Sequence, residues 1–228
     1  MKNKLPLIVI LAALIAFVCL FCRVTIIPDK VPQTEVNESG EEVVVADLSV
    51  AEQYCADNWE SKMLPKIRER SHPVEEVIAA MKDDFNTAGG ELGTRQNETS
   101  AWNFCVSGTA KVVGIDFPEK ATKTRLLLDT APYDGEADCK LQVSSVIKTN
   151  AVRDSVEFLR LDDFKDQVEF AELTKAFNAE IQKTVLNGIV PTDYDGKEVT
   201  FLGSVALTKF EEAEDMLIIP VEISAPGE

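Results

Sequence analysis

Histidine is almost missing from this chain: 228 residues contain one, His72. A zinc site of the usual composition and any His-activated nucleophile therefore have little to be built from. Cysteine is scarce as well. Of five, Cys19 and Cys22 lie in an N-terminal apolar run, leaving Cys55, Cys105 and Cys139 for the rest. An odd, small number is no disulfide framework, and both a single bridge and separate buried thiols remain open. Cations are outnumbered, 23 Lys and Arg against 39 Asp and Glu, for a net charge of −16. That balance argues against nucleic acid, since neutralising phosphates takes clustered Lys and Arg, and it disfavours docking on anionic lipid. There is no G-x-S-x-G, Walker loop or H-E-x-x-H, and C-x-x-C occurs only within the apolar run, where thiols lack the exposed, electropositive setting that makes them reactive. Asp134-Gly135-Glu136 and Asp193-Tyr194-Asp195-Gly196 lack the spacing of a calcium loop and read as turns. No catalytic residue, metal site or cofactor is expected. Abundant carboxylates keep a carboxylate-dependent hydrolase as a distant third reading.

What the chain does have is an almost unbroken apolar run, Leu5 to Cys22, behind Lys2 and Lys4. A helix of roughly 20 apolar residues crosses a bilayer, and the lysines favour a cytoplasmic N-terminus with everything after Arg23 exported. Cys22 stands where a bacterial lipoprotein carries its acylated cysteine, yet Phe21 and Leu20 precede it where a small residue is wanted. No small-x-small pair suits an ordinary signal peptidase. An uncleaved signal anchor over residues 1–23 is the first expectation, a lipidated Cys22 the second. Residues 24–46, with Pro28, Pro32, Asn37, Ser39 and Gly40, read as a tether.

The periodicity of the exported part predicts an α+β fold. A helical N-terminal part, residues 47–96, holds two helices. The first is capped by Asp47 or Ser49, carries Tyr54, Cys55, Trp59 and Met63 on one face, and is bent or ended by Pro65. The second starts at Ser71-His72-Pro73, buries Val74, Val77, Ile78, Met81 and Phe85, and stops at Gly89-Gly90. His72 belongs to that helix start. Over residues 97–228 the period changes to two. A long strand from Trp102 to Ile115 has Gly108 and Gly114 as bends or bulges, and strands follow at Thr124–Asp129 and near Leu141 and Val143. Val156 to Leu161 is expected to be briefly extended. A helix from Asp163 to Leu186 is capped by Asp162 or Asp163, striped with Phe164, Val168, Ala171, Phe177, Ile181 and Val185, and stopped by Asn187-Gly188. Two strands, Lys197–Leu207 and Met216–Ile223, flank an acidic hairpin at Glu211–Asp215. Three strands, a long helix and two strands is the order of an OB-like five-stranded β-barrel.

One constellation could bind. Gln167 and Asn178 are eleven residues apart, within about 20° on a helix, with Thr174 near that face. Their amides can hold a ligand hydroxyl or carbonyl, or can equally satisfy buried backbone near Arg153-Asp154. Arg153 and Asp154 carry the same two readings. Arg153, Asp154, Gln167 and Asn178 are the candidate ligand residues.

Tyr54 to Pro65, with Trp59, resembles the helical opening of a bacterial family of predicted periplasmic lipoproteins, the domain of unknown function 2291. Leu141 to Ser155 resembles its central motif, and Phe158, Asp163-Phe164, Gln167, Phe170-Ala171 and Asn178 fall at further family positions. This chain departs from the pattern at Ser144-Ser145 and Thr149-Asn150, where the motif has Gly-Pro and Gly-Thr, and at Asp166, where it has Asn. The resemblance implies a periplasmic, cell-envelope location and an association with sugar ABC transporter components, but no activity. The expectation is a membrane-tethered, non-enzymatic accessory or binding protein with an unknown ligand. An envelope scaffold for protein interactions is the alternative.

Overall fold

Capping and proline placement set the helices of this computed structural model, which describes residues 33–36, 42–45, 49–117, 123–211 and 216–224. The apolar run, Cys22 and residues 212–215 of the expected acidic hairpin lie outside the described residues. Among the described residues no helix is long and apolar enough to cross a membrane. The chain divides into two units, residues 1–47 and 48–228. In the first, β1 (Gln33–Val36) pairs antiparallel with β2 (Glu42–Val45), so the stretch read as a tether contains a two-stranded ladder.

The second unit opens with α1 (Val50–Asn58), where Ser49 and Glu52 each accept the other's backbone N–H in a capping box. A π-helical turn, Trp59–Met63, leads into α2 (Leu64–Arg70). Pro65 therefore does not end the helix: it falls in the first turn of α2, where a missing N–H is tolerated. β3 (His72–Pro73) is a short parallel bridge to Val106 and Ser107 and precedes α3 (Val74–Asp83). Asp84 then starts a new helix, α4 (Phe85–Leu92), by accepting the Thr87 N–H at 2.6 Å, a bond that holds its carboxyl below the usual range. Gly89 and Gly90 lie inside α4 and do not stop α3. The reason is contact: a Cβ on Gly89 would overlap the Trp102 indole, whereas Gly90 faces open space.

β4 (Gly93–Thr94) leads into β5 (Trp102–Asp116), followed by β6 (Arg125–Asp129) and β7 (Cys139–Gln142). After α5 (Ala151–Asp154) and α6 (Gln167–Ile181) come β8 (Glu198–Leu207) and β9 (Leu217–Ser224). β5, β6 and β7 are antiparallel neighbours, β7 runs parallel to β9, and β8 pairs antiparallel with both β9 and β5. The pairing thus closes on itself: the third strand of this set joins the fifth, and the fourth returns to the first. The β5–β6 register shifts between Val112 and Gly114, the bulge expected at that glycine.

Period-two alternation sorts the sheet's side chains into two cores. Phe104, Val106, Phe201 and Ile218 point into one, sealed by Val74, Val77, Ile78 and Met81 of α3. Their strand neighbours Cys105, Leu202 and Ile219 point into the other, where Trp59, Met63, Phe170 and Phe177 bring α1, its π turn and α6 onto the sheet. The two helices expected over residues 47–96 consequently serve different cores.

Three further details differ from the periodic reading. Residues 156–160 form a turn and an irregular stretch, because Val156 and Leu159 are held in the α6-side core rather than in a ladder. The expected Asp163–Leu186 helix is a 3-10 turn (Leu161–Asp163), then α6 capped by Asp166, then a π-helical turn (Gln182–Leu186). Asp166 accepts the N–H groups of Val168 and Glu169, both at 2.9 Å. Since the chain from Phe164 to Asp166 is not helical, Phe164 cannot set the helix phase, so Val168 is exposed while Phe170, Leu173, Phe177 and Ile181 are buried. Gly188, with φ +84°, follows the π turn as expected. Gly135 and Gly196 also have positive φ, so both Tyr-Asp-Gly segments are turns.

Adjacent glycines of α4 should respond oppositely to the same substitution. Gly89→Ala should cost about 1–3 kcal/mol by overpacking against Trp102. Gly90→Ala should stabilise by about 0.5–1 kcal/mol through lost unfolded-state entropy. Urea unfolding of the two variants measures both, and equal signs would refute the packing account.

Candidate functional site

Arg153 and Asp154 form a buried knot. On the short helix α5 the guanidinium donates through Nε to Asp154 Oδ1 at 2.7 Å and through Nη2 to Oδ2 at 3.0 Å. Its remaining nitrogen, Nη1, donates to the Phe170 carbonyl at 2.9 Å, and the group lies 3.7 Å from the centre of the Phe170 ring. Asp154 also accepts from Gln96 Nε2 at 3.2 Å, while its backbone carbonyl accepts the Thr94 hydroxyl at 2.6 Å. The pair ties α5 to α6 and to residues 94–96, with its donors and acceptors turned inward. Gln167 is exposed in the first turn of α6, while Asn178 is buried three turns on. Helical phase is therefore not enough to make the two amides one site. The structure joins Arg153 to Asp154, places Asn178 under the preceding segment and leaves Gln167 at the surface.

That preceding segment, residues 142–149, is the centre of the region. From Gln142, the last residue of β7, it crosses to α5 without regular structure over residues 143–149, so its carbonyls need partners from side chains. Three amides supply them. Gln142 Nε2 donates to the Val146 carbonyl at 2.8 Å, Gln182 donates to the Ser145 carbonyl, and Asn178 Nδ2 donates to the carbonyls of Thr149 at 3.2 Å and Ile147 at 3.5 Å. Asn178 was visible in the sequence as a polar residue on an apolar helix. Gln182 was not, because it sits where α6 opens into the π turn and the 3.6-residue period lapses.

A cleft lies on each side of the fastened segment. One, of about 380 Å³, is cationic: Lys123, Arg125 and Lys148 line it with Gln142 and Thr149 over the apolar Val146 and Leu217. Arg125 shares one nitrogen with Asp116 at 3.3 Å. The other cleft, of about 610 Å³, has no charged lining residue among the described residues. Its polar groups are Thr124, Ser144, Ser145, Gln182 and Asn187, set among Phe117, Val143, Leu186, Ile189 and Pro191. Ser144 Oγ is buried there with no hydrogen-bond partner. The sequence signal for these clefts was the pair of departures in the central motif: Ser144-Ser145 lines the neutral one and Thr149 the cationic one.

Other chemistry has little support in this geometry. Cys55, Cys105 and Cys139 are free and buried. Burial pushes the Cys55 thiol up to about 12, with Glu180 adding to the shift, and pushes Cys105 and Cys139 up as well. The thiolate is the nucleophile, so these thiols are inert near neutral pH. Among the described residues no group of three or more His, Cys, Asp or Glu could hold a metal ion. The Asp134-Gly135-Glu136 turn satisfies itself: Asp134 accepts the Glu136 N–H, and Asp129 the Gly135 N–H, both at 2.9 Å.

The sequence model of one family, described as "Predicted periplasmic lipoprotein (DUF2291)", matches residues 14–224. Among solved structures the chain is similar to an OB-fold protein from Thermotoga maritima, with a TM-score of 0.62 and 18% identity, covering 78% of this chain and 98% of that one. At that identity the likeness speaks for the fold alone. A search of curated proteins finds no match.

The knot and the exposed amide should separate in stability measurements. Arg153→Met leaves the Asp154 carboxylate buried without its counter-ion and should cost about 3–5 kcal/mol. Asn178→Ala should cost about 1–3 kcal/mol by orphaning the carbonyls of residues 147 and 149. Gln167→Ala should stay within about 0.5 kcal/mol. Denaturant melts of the three variants test the ranking, and a large effect at Gln167 would contradict its placement.

Proposed function

We propose, because the chain belongs to the DUF2291 family of predicted periplasmic lipoproteins, that it is a non-enzymatic binding module tethered in the cell envelope and that its ligand occupies the neutral cleft beside residues 142–149. The observation that carries this reading is Ser144 Oγ, buried and unpartnered at a cleft of about 610 Å³. Buried hydroxyls are normally bonded, and leaving one unsatisfied costs about 1–3 kcal/mol. Turned toward the cleft on binding, the hydroxyl would meet a ligand hydroxyl or carbonyl, which would offset that cost. The remaining lining supports the same chemistry: among the described residues, hydroxyls and amides with no charge, beside an aromatic and several aliphatic groups, suit an uncharged, hydroxyl-bearing small molecule.

In this reading the closed ring of β5, β6, β7, β9 and β8 is an OB-like barrel, and residues 142–149 are its connection from third strand to helix. The module is held at the outer face of the cytoplasmic membrane, either by acylation of Cys22 or by the apolar run itself. The family description supports the acylated form. A solute transporter is the partner such a module would serve, delivering or reporting its cargo.

A thermal-shift screen of the full-length chain in detergent against neutral sugars and polyols tests the assignment. Ligand at about 100 times its dissociation constant adds about 2.7 kcal/mol, a rise of roughly 5 to 10 °C for a chain of this size. Ser144→Ala should raise the unliganded midpoint, having removed an unsatisfied buried hydroxyl, and should shrink the ligand's shift. A shift unaffected by Ser144→Ala and Gln182→Ala would place the ligand elsewhere. A flat screen with folded protein would sink the neutral-ligand reading.

A further inference from the structure

The cationic cleft is out of keeping with the chain that forms it. Acids outnumber bases 39 to 23, yet among the described residues the charged groups lining this cleft are Lys123, Arg125 and Lys148, with no acid beside them. Their convergence is built by the sheet. Arg125 stands directly opposite Gln142 in the β6–β7 register, Lys123 lies two residues before Arg125, and Lys148 is brought in by the fastened segment. Among the described residues Lys123 and Lys148 have no ion-pair partner, and Arg125 gives only Nη1 to Asp116.

Thr149 adds an oriented donor. Its Oγ1 accepts the Ala151 N–H at 3.1 Å, which leaves its own O–H to donate outward. Gln142 gives one amide N–H to the Val146 carbonyl, which fixes the amide and makes its oxygen the acceptor of the set. Ammonium, guanidinium and hydroxyl donors around one acceptor match an oxyanion carried on a small hydroxylated body.

We infer that this cleft is a second binding site, distinct from the neutral one, for a phosphate- or carboxylate-bearing small anion. The chain's overall negative charge does not oppose it at working salt. The Debye length is about 8 Å at physiological ionic strength, so cations within the cleft outweigh acids spread over the rest of the surface. The same screening means that affinity falls as salt rises. The phosphate group could come from a free metabolite or from an anionic lipid headgroup, and the two sources are separable.

The test uses the full-length chain in nanodiscs of phosphatidylcholine, titrated calorimetrically with inorganic phosphate, glycerol phosphate and citrate, alongside thermal melts in nanodiscs containing phosphatidylglycerol. Saturable binding of a soluble probe, weakened at least tenfold by Lys123→Gln with Lys148→Gln and unchanged by Lys175→Gln on the outer face of α6, supports the site and assigns it to free anions. A raised midpoint confined to phosphatidylglycerol discs, and lost in the double variant, supports it and assigns it to a headgroup. Either response persisting in the double variant overturns the inference. So does the lack of any response with folded protein. Ser144→Ala should leave anion binding intact, so failure of the neutral-cleft reading and failure of this one can be told apart.

Discussion

Everything that gives this molecule a site depends on how one irregular segment satisfies its backbone. From Gln142, at the end of β7, residues 143–149 leave the sheet and must reach α5 without strand or helix partners for their carbonyls. Gln142, Asn178 and Gln182 provide them, and each belongs to a different local environment: a strand end, a helix interior and a π turn. A buried unpaired carbonyl costs more than a typical bond contributes, so the segment has one acceptable course across the surface. The two clefts are the two sides of that course. Below it, the Arg153–Asp154 knot fixes α5 to α6, which keeps Asn178 and Gln182 at the right height. Geometry at the clefts is therefore inherited from the contact between α5 and α6 rather than made by the lining residues themselves.

The β architecture was legible because period two is strong wherever one face of a strand is buried and the other meets a different layer. β5, β8 and β9 do this over many residues, and their boundaries were recovered within a residue or two. Helix boundaries failed where a local contact overruled the pattern. Gly89-Gly90 looks like a stop until Trp102 is known to lie on Gly89. Phe164 looks like the head of a stripe until Asp166 is seen to cap the helix behind it. The site was legible only in part for a related reason. Asn178 is odd for its helix and so drew notice, whereas Lys123, Arg125 and Lys148 are ordinary surface residues in sequence. Only the fold makes neighbours of them: the β6–β7 register sets Arg125, with Lys123 just before it, against Gln142, and the segment after Gln142 brings Lys148 in.

The distribution of charge suits the recognition role we propose. An acid–base enzyme places titratable groups against each other or against desolvating walls, so that their proton affinities are tuned for transfer. Here, among the described residues, the groups that burial moves most clearly are thiols, pushed away from reactivity, and the one deeply buried ion pair is spent on Phe170 and Gln96. The clefts instead offer fixed donors and acceptors: amides already oriented by the backbone they hold, a hydroxyl oriented by a helix N–H, and lysines free to move. Groups of that kind bind without needing to change protonation state. Strong surface acidity suits such a role. It repels the body from anionic headgroups in general and leaves the cationic cleft as a local exception, so the contrast between surface and cleft becomes the selectivity device. Neutralising acids elsewhere would strengthen nonspecific attraction of anions and blunt that contrast, even though every residue of the cleft were left in place.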